Sequence, residues 1–140
     1  MRKNYSIEEL KTRLKRYCAY QERCHKEVKN KLQQLGAYGD TSDAVISHLI
    51  QHDYLNETRF AVFYVRGKFS IKKWGKKRIV NELKLRKITN YNIDKGLKQI
   101  SEKDYQHTFD TLAQKRWEEL KKKKESTEKR NKKWVQYLQY

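Results

Sequence analysis

The sequence predicts an all-α protein, built from tandem three-helix repeats that stack into an elongated, curved body. Three observations lead there. The 140 residues include no proline, and the five glycines fall where helical patterns would end or bend. Apolar residues recur at spacings of three, four and seven, which is one face of a helix. The same pattern returns after about 50 residues, a period typical of repeat architectures.

The first helix opens at Ser6-Ile7-Glu8-Glu9, which has capping-box form: the Ser6 hydroxyl accepts from the Glu9 backbone and the Glu9 carboxylate reaches back. Tyr5 and Leu10 are placed to pack across that cap, and Leu10, Leu14, Tyr17 and Cys18 form the buried face. The second helix carries Val28, Leu32 and Leu35 and stops at Gly36, whose missing Cβ permits a left-handed residue. A third opens between Asp40 and Asp43 and buries Val45, Ile46, Leu49 and Ile50. Asn56 is the expected N-cap of a fourth, with Phe60, Ala61, Tyr64 and Val65 inward and an end near Gly67. A basic helix over 74–87 and a shorter one over 90–100 follow. Ser101 caps another, with Phe109, Leu112, Ala113 and Trp117 inward.

A shift of 51 residues lays Val28 and Leu32 on Ile79 and Leu83, and a shift of 48 lays Val45 and Leu49 on Ile93 and Leu97. Trp134 and Leu138 repeat the step 55 residues beyond Ile79 and Leu83. Three units are therefore expected: 1–55, 56–100 and 101–140, the last with no third helix. A single helix pair cannot bury its apolar stripe alone, so stacked units share a core. The extended surface that results suits a long partner better than a small molecule.

Composition narrows the function. With 34 Lys and Arg against 17 Asp and Glu, the formal charge is +17, which favours acidic or polyanionic partners. The charge is uneven: 40–58 holds four acids and no Lys or Arg, whereas 67–87 holds nine basic residues and one acid, Glu82. No apolar run approaches the roughly 20 residues of a membrane span, so a soluble, cytoplasmic protein without membrane contact is expected; a monomer is expected as well. Cys18 and Cys24, six apart on what reads as helix, lie about 240° apart around its axis, which disfavours a disulfide.

The leading candidate for a binding face is the basic cluster Lys68, Lys72, Lys73, Lys76, Lys77, Arg78, Lys84 and Arg86. The plain alternative is a solvated helix surface, with Arg78 paired to Glu82 one turn on. Arg59 either contacts a partner or pairs with Glu57 or Asp53, while Arg66, beside Gly67 at a helix end, is more available. Phe60, Phe63, Tyr64 and Trp74 could stack on bases, although spacing places Phe60 and Tyr64 in the core. The run Lys121 to Lys124 with Lys129, Arg130, Lys132 and Lys133 reads equally as phosphate grip or solvated helix. His48 and His52 share a helix face but lack further ligands at a recognisable spacing, and Cys24-His25 is too little for a zinc site or a catalytic dyad. No nucleophile triad, carboxylate pair or phosphate loop is evident, so neither an enzyme nor a cofactor is expected.

Three stretches carry a family resemblance: "DYLNETRFAVFYVR" at 53–66, "WGKKRIVNELKLRKI" at 74–88 and "ERCHKEVKNKLQQLGA" at 22–37. They resemble the RecX regulatory family, bacterial modulators of the RecA recombinase, with Glu27, Lys31, Leu32 and Gly36 in register and coverage of about residues 5 to 100. Three departures stand out: Cys24 replaces a serine N-cap, Asp53 replaces a glycine before Tyr-Leu, and the third unit is short. The resemblance implies a non-catalytic protein that binds the RecA filament on single-stranded DNA and restrains filament extension, recombinase and ATPase activity. The alternative is a stand-alone basic DNA-binding module, because a short helix pair with a basic member also resembles a helix-turn-helix.

Overall fold

The computed structural model of the chain describes residues 4–122 and 127–139, with side chains of the last helix from residue 131 onward. The described residues form eight helices and no strand: α1 (Ile7–Tyr20), α2 (His25–Gln34), α3 (Gly39–Gln51), α4 (Glu57–Ser70), α5 (Lys76–Leu85), α6 (Asn90–Leu97), α7 (Glu102–Lys121) and α8 (Thr127–Gln139).

Local chemistry explains most of the boundaries. Ser6 Oγ accepts from the Glu9 backbone at 3.1 Å while Glu9 takes the Ser6 amide at 3.3 Å. Asn56, Thr89 and Ser101 cap α4, α6 and α7 by accepting from the third residue on. At Cys24 the Glu27 carboxylate does the work, receiving both the backbone N–H and the thiol at 3.2 Å. Helices α2, α3 and α5 end alike. A left-handed residue (Gly36, Asp53 or Lys87, at φ of 84°, 60° and 60°) lets the next amide return to a carbonyl one turn back. Those closures are Ala37 to Leu32, Tyr54 to Leu49 and Ile88 to Leu83.

Two apolar clusters form. The first gathers Leu10, Leu14, Cys18, Val28, Leu32, Ala37, Val45, Leu49 and Leu55, all from α1–α3 and the turns that flank them. The second gathers Phe60, Ala61, Tyr64, Val65, Ile79, Leu83, Ile88 and Ile93 from α4–α6 with Cys24, which the α1–α2 turn lends to it. The 51-residue shift pairs residues of equal burial, since Val28, Leu32, Ile79 and Leu83 are all fully buried; in the 48-residue shift Val45, Leu49 and Ile93 are buried but Leu97 is half-buried, as are Trp134 and Leu138. In the remaining pair, α7 and α8, Trp117 and Trp134 meet at 5.3 Å and the Trp134 indole N–H donates to the Ala113 carbonyl at 2.9 Å. The chain exposes 9834 Å², about a quarter more than the roughly 7,750 Å² expected of a compact 17.1 kDa monomer. It is therefore extended.

Four expectations need correction. Ile50 is 46% exposed rather than core, since α3 turns only Val45, Leu49 and Ser42 fully inward. Helix α4 runs through Gly67 to Ser70, so neither Gly67 nor Arg66 marks an end. Gly96 lies inside α6 and serves close approach: an added Cβ would sit 2.9 Å from the Ala61 carbonyl oxygen and from Val65 Cγ2. Cys18 and Cys24 occupy different elements and different clusters, each a free buried thiol.

Candidate functional site

The basic segment begins on α4, bends through 71–75 and continues along α5. Its turn closes with the Trp74 amide donating to the Lys68 carbonyl at 2.9 Å, and Lys73 takes the left-handed conformation at φ 58°. Helix α5 then starts at Gly75 with no acid in its first turn. Trp74 is half-buried against the second cluster. Arg78 lies over its ring at 4.0 Å and Lys68 at 4.8 Å, distances at which a cation is held by the ring quadrupole.

The ten candidate residues divide by what already engages them. Arg59 is a structural clasp: Nε donates to Glu22 at 2.7 Å, Nη1 meets Asp53 at 3.1 Å, and Nη2 donates to the Asp53 carbonyl at 2.9 Å. Burial opposes its charge, but these two carboxylates outweigh it and hold the pKa above the ordinary arginine value. Arg66 donates to Gln99 at 3.2 Å, and Arg86 takes Glu82 at 3.3 Å, the carboxylate that sequence spacing had offered to Arg78. Lys76 bridges to Glu102 at 3.2 Å and lies over Tyr105 at 4.4 Å. Lys72, Lys73, Lys77 and Lys84 are exposed, and their side chains make no ion pair or hydrogen bond with the described residues.

The acidic counterpart sits at the α1–α2 corner. Glu22 holds Arg59, His25 Nδ1 approaches Glu57 at 3.1 Å, and the Lys26 ammonium donates to the Leu85 carbonyl at the C-terminus of α5. Burial pushes the Glu57 carboxyl up while His25 pulls it down, with burial the larger effect. These bonds, with Cys24, lock the first cluster to the second. His48 and His52 stack at 4.3 Å, and burial followed by His52 and the nearby lysines lowers the His48 pKa, which favours a neutral ring. Among the described residues no three metal-ligating side chains stand together.

The structure also assembles what the sequence left scattered. Lys72, Lys73, Lys76 and Lys77 form one wall of a groove of about 820 Å³ whose opposite wall comes from α7 and α8. Tyr105, Phe109, Leu112 and Arg116 line it from α7, at steps of four, three and four residues along one helix face. The spacing of that stripe is visible in the sequence, but it forms a groove wall and not the closed core expected of Phe109 and Leu112; Tyr105 and Arg116, outside the expected inward set, extend the same face at its two ends. Lys133 also lines the groove, whereas Lys123, Lys124 and the side chains of Lys129 and Arg130 lie outside the described residues. Lys68, Lys84, Arg86, Arg59 and Arg66 do not line it.

Comparison with known proteins bears on this arrangement. Residues 56–97, which carry α4 to α6, match the family model described as RecX, second three-helix domain. No curated protein matches the sequence. A crystal structure of a regulatory protein RecX is similar at 20% identity with a TM-score of 0.85, covering 95% of this chain and 66% of the other. RecX from Lactobacillus salivarius is similar at 27% identity with a TM-score of 0.81, covering 94% and 84%. The chain thus spans about two thirds of the length of the first of these structures.

Proposed function

We propose that the chain, whose α4–α6 match the RecX second three-helix domain, is a RecX-type regulator of the RecA recombinase that binds the RecA filament on single-stranded DNA and inhibits filament extension, recombinase and ATPase activity. The observation that carries this reading is the match of α4–α6 to a RecX domain together with four unengaged lysines on and before α5. An extended basic body laid across neighbouring subunits holds them in one arrangement. It thereby opposes the rearrangement that each ATP cycle requires, because a ligand shifts an equilibrium only by its differential affinity for the two states.

The residues proposed to meet the partner are Lys72, Lys73, Lys76, Lys77, Arg78 and Lys84, with Lys68, Arg66 and Arg86 as peripheral contacts. Arg59 acts by positioning α4 against the α1–α2 corner. The test is RecA ATPase activity on single-stranded DNA, titrated with the protein at moderate salt, beside its binding to the same DNA without RecA. Loss of ATPase at substoichiometric protein with weak free-DNA binding is expected. Tight DNA binding, steeply weakened by salt, with ATPase lost only once the DNA is coated, would instead identify a stand-alone basic DNA-binding module.

A further inference from the structure

We infer that the groove between the α4–α5 turn, α7 and α8 is a docking site for an acidic protein segment with apolar anchor residues, and not for a nucleic-acid strand. This goes beyond filament regulation as such, since it concerns the chemical class of ligand at a surface that α7 and α8 help to build. The argument has three parts.

The first is charge. The groove wall carries Lys72, Lys73, Lys76, Lys77, Arg78, Arg116 and Lys133, and among the described residues no Asp or Glu lines it. Lys76 and Arg116 are each neutralised by a neighbouring carboxylate, Glu102 and Glu119, at 3.2 and 3.3 Å. Lys72, Lys73 and Lys77 have no such neighbour among the described residues, so the positive potential is uncompensated on that wall.

The second is the floor. Phe109, Leu112 and Leu138 are only half-buried although they occupy inward positions of α7 and α8. Phe69 is half-buried beside them. A cationic rim around an apolar floor suits a segment whose carboxylates and apolar side chains alternate along one face.

The third separates protein from nucleic acid. Base stacking needs a bare aromatic face. Tyr105 is stacked between Phe69 at 5.9 Å and Phe109 at 6.5 Å, and Lys76 covers it at 4.4 Å. Trp74 is covered by Arg78 and Lys68. Tyr137, the most exposed of the lining rings, has Arg116 over it at 5.9 Å, so the lining rings are largely engaged within the protein, whereas aliphatic contact with Leu112 and Leu138 remains open. That favours Leu or Phe side chains over bases.

The experiment uses the full chain without RecA, so its outcome is separate from that of the filament reading. Two fluorescein-labelled peptides of about twelve residues, roughly 18 Å as helices, are compared by anisotropy at about 150 mM salt. Both carry Asp and Glu on one face; one has Leu and Phe at helical spacing, and the other has Ser in their place. Labelled oligo(dT) is the third probe. The apolar-anchored peptide is expected to bind at least about tenfold tighter than its Ser counterpart. It should weaken at least about tenfold in a Lys72→Glu, Lys73→Glu, Lys77→Glu variant, and oligo(dT) should not displace it. Equal binding of the two peptides overturns the proposal, because charge alone would then account for it. So does retained binding in the folded variant. Stoichiometric displacement by oligo(dT) would assign the groove to nucleic acid. The two-peptide comparison on the unaltered protein decides the matter even if the variant folds poorly.

Discussion

Replacing glycine with alanine should act in opposite directions at two helical positions of this protein. At Gly67, inside α4, an added Cβ meets nothing within 4 Å. Gly67→Ala then restricts the unfolded chain and improves helix propensity, a gain of about 0.5–1 kcal/mol. At Gly96, inside α6, the same atom would lie 2.9 Å from the Ala61 carbonyl oxygen, 2.9 Å from Val65 Cγ2 and 3.1 Å from the Ala61 carbonyl carbon. Two of those three atoms are backbone of α4 and cannot rotate away. Relief requires α4 and α6 to separate, which loosens Ala61, Val65 and Ile93 in the second cluster. Overpacking of this kind costs about 1–3 kcal/mol, and a propensity gain of up to about 1 kcal/mol offsets part of it. Gly96→Ala is therefore expected to lose about 1–2 kcal/mol net. Urea unfolding of both variants and of the unaltered chain measures the pair. The two variants should differ in midpoint with an unchanged slope, and a thermal shift of roughly 2–4 °C should accompany each kcal/mol. If Gly96→Ala is as stable as the unaltered protein, the close crossing of α4 and α6 is wrong.

Leu32→Ala and Leu83→Ala remove fully buried side chains at equivalent positions of successive units, and each should destabilise by about 2–5 kcal/mol in a chemical melt; a neutral result at either breaks the register. Arg59→Ala removes the clasp to Glu22 and Asp53, and because the site is partly exposed the loss should be about 1–2 kcal/mol, read by urea unfolding. No change in midpoint would return Arg59 to the set of partner contacts. Burial pushes the Cys18 and Cys24 thiols each up to about 11 from 9.0, so at pH 7.4 about one in four thousand is ionised and labelling by a thiol reagent should be slow until the chain unfolds. The linked stability is fully present below pH 9 and is lost as pH rises from 9 towards 11, because the unfolded thiols release their protons first. Each thiol should withdraw about 2–3 kcal/mol over that window, and replacing Cys24 with Ser should flatten the alkaline limb of a stability–pH profile.

Much of the helical framework was legible from the sequence because its signals are local. Ser6, Asn56 and Ser101 are capping side chains that act within one turn, and the recurring four-residue apolar step marks the core face whatever lies opposite. Two glycines show where local signals end. Gly67 and Gly96 look alike in sequence, and only the crossing of α4 over α6 gives the second a function and leaves the first incidental. The candidate face was legible to the level of its charge density, since nine basic residues against one acid over 67–87 are a property of the chain. Which of the candidate cations are available was only partly legible: Asp53, six residues from Arg59, is a local partner, but Glu22 reaches Arg59, Glu102 reaches Lys76 and Gln99 reaches Arg66 from elements far along the chain.

By itself, then, the sequence determined the helical class, the repeat period, the principal buried positions and a strongly basic segment, all of which depend on side-chain type and spacing along a helix. The tertiary structure alone decided that the α1–α2 corner is bound into the second core through Cys24 and Glu22. It alone brought Tyr105, Phe109, Leu112 and Arg116 of α7 opposite Lys72, Lys73 and Lys77 around one groove. The physical reason is that helix faces are encoded locally by periodicity, whereas the partner of each face is fixed by contacts between residues far apart in sequence, as Lys26 and Leu85 are, 59 positions apart.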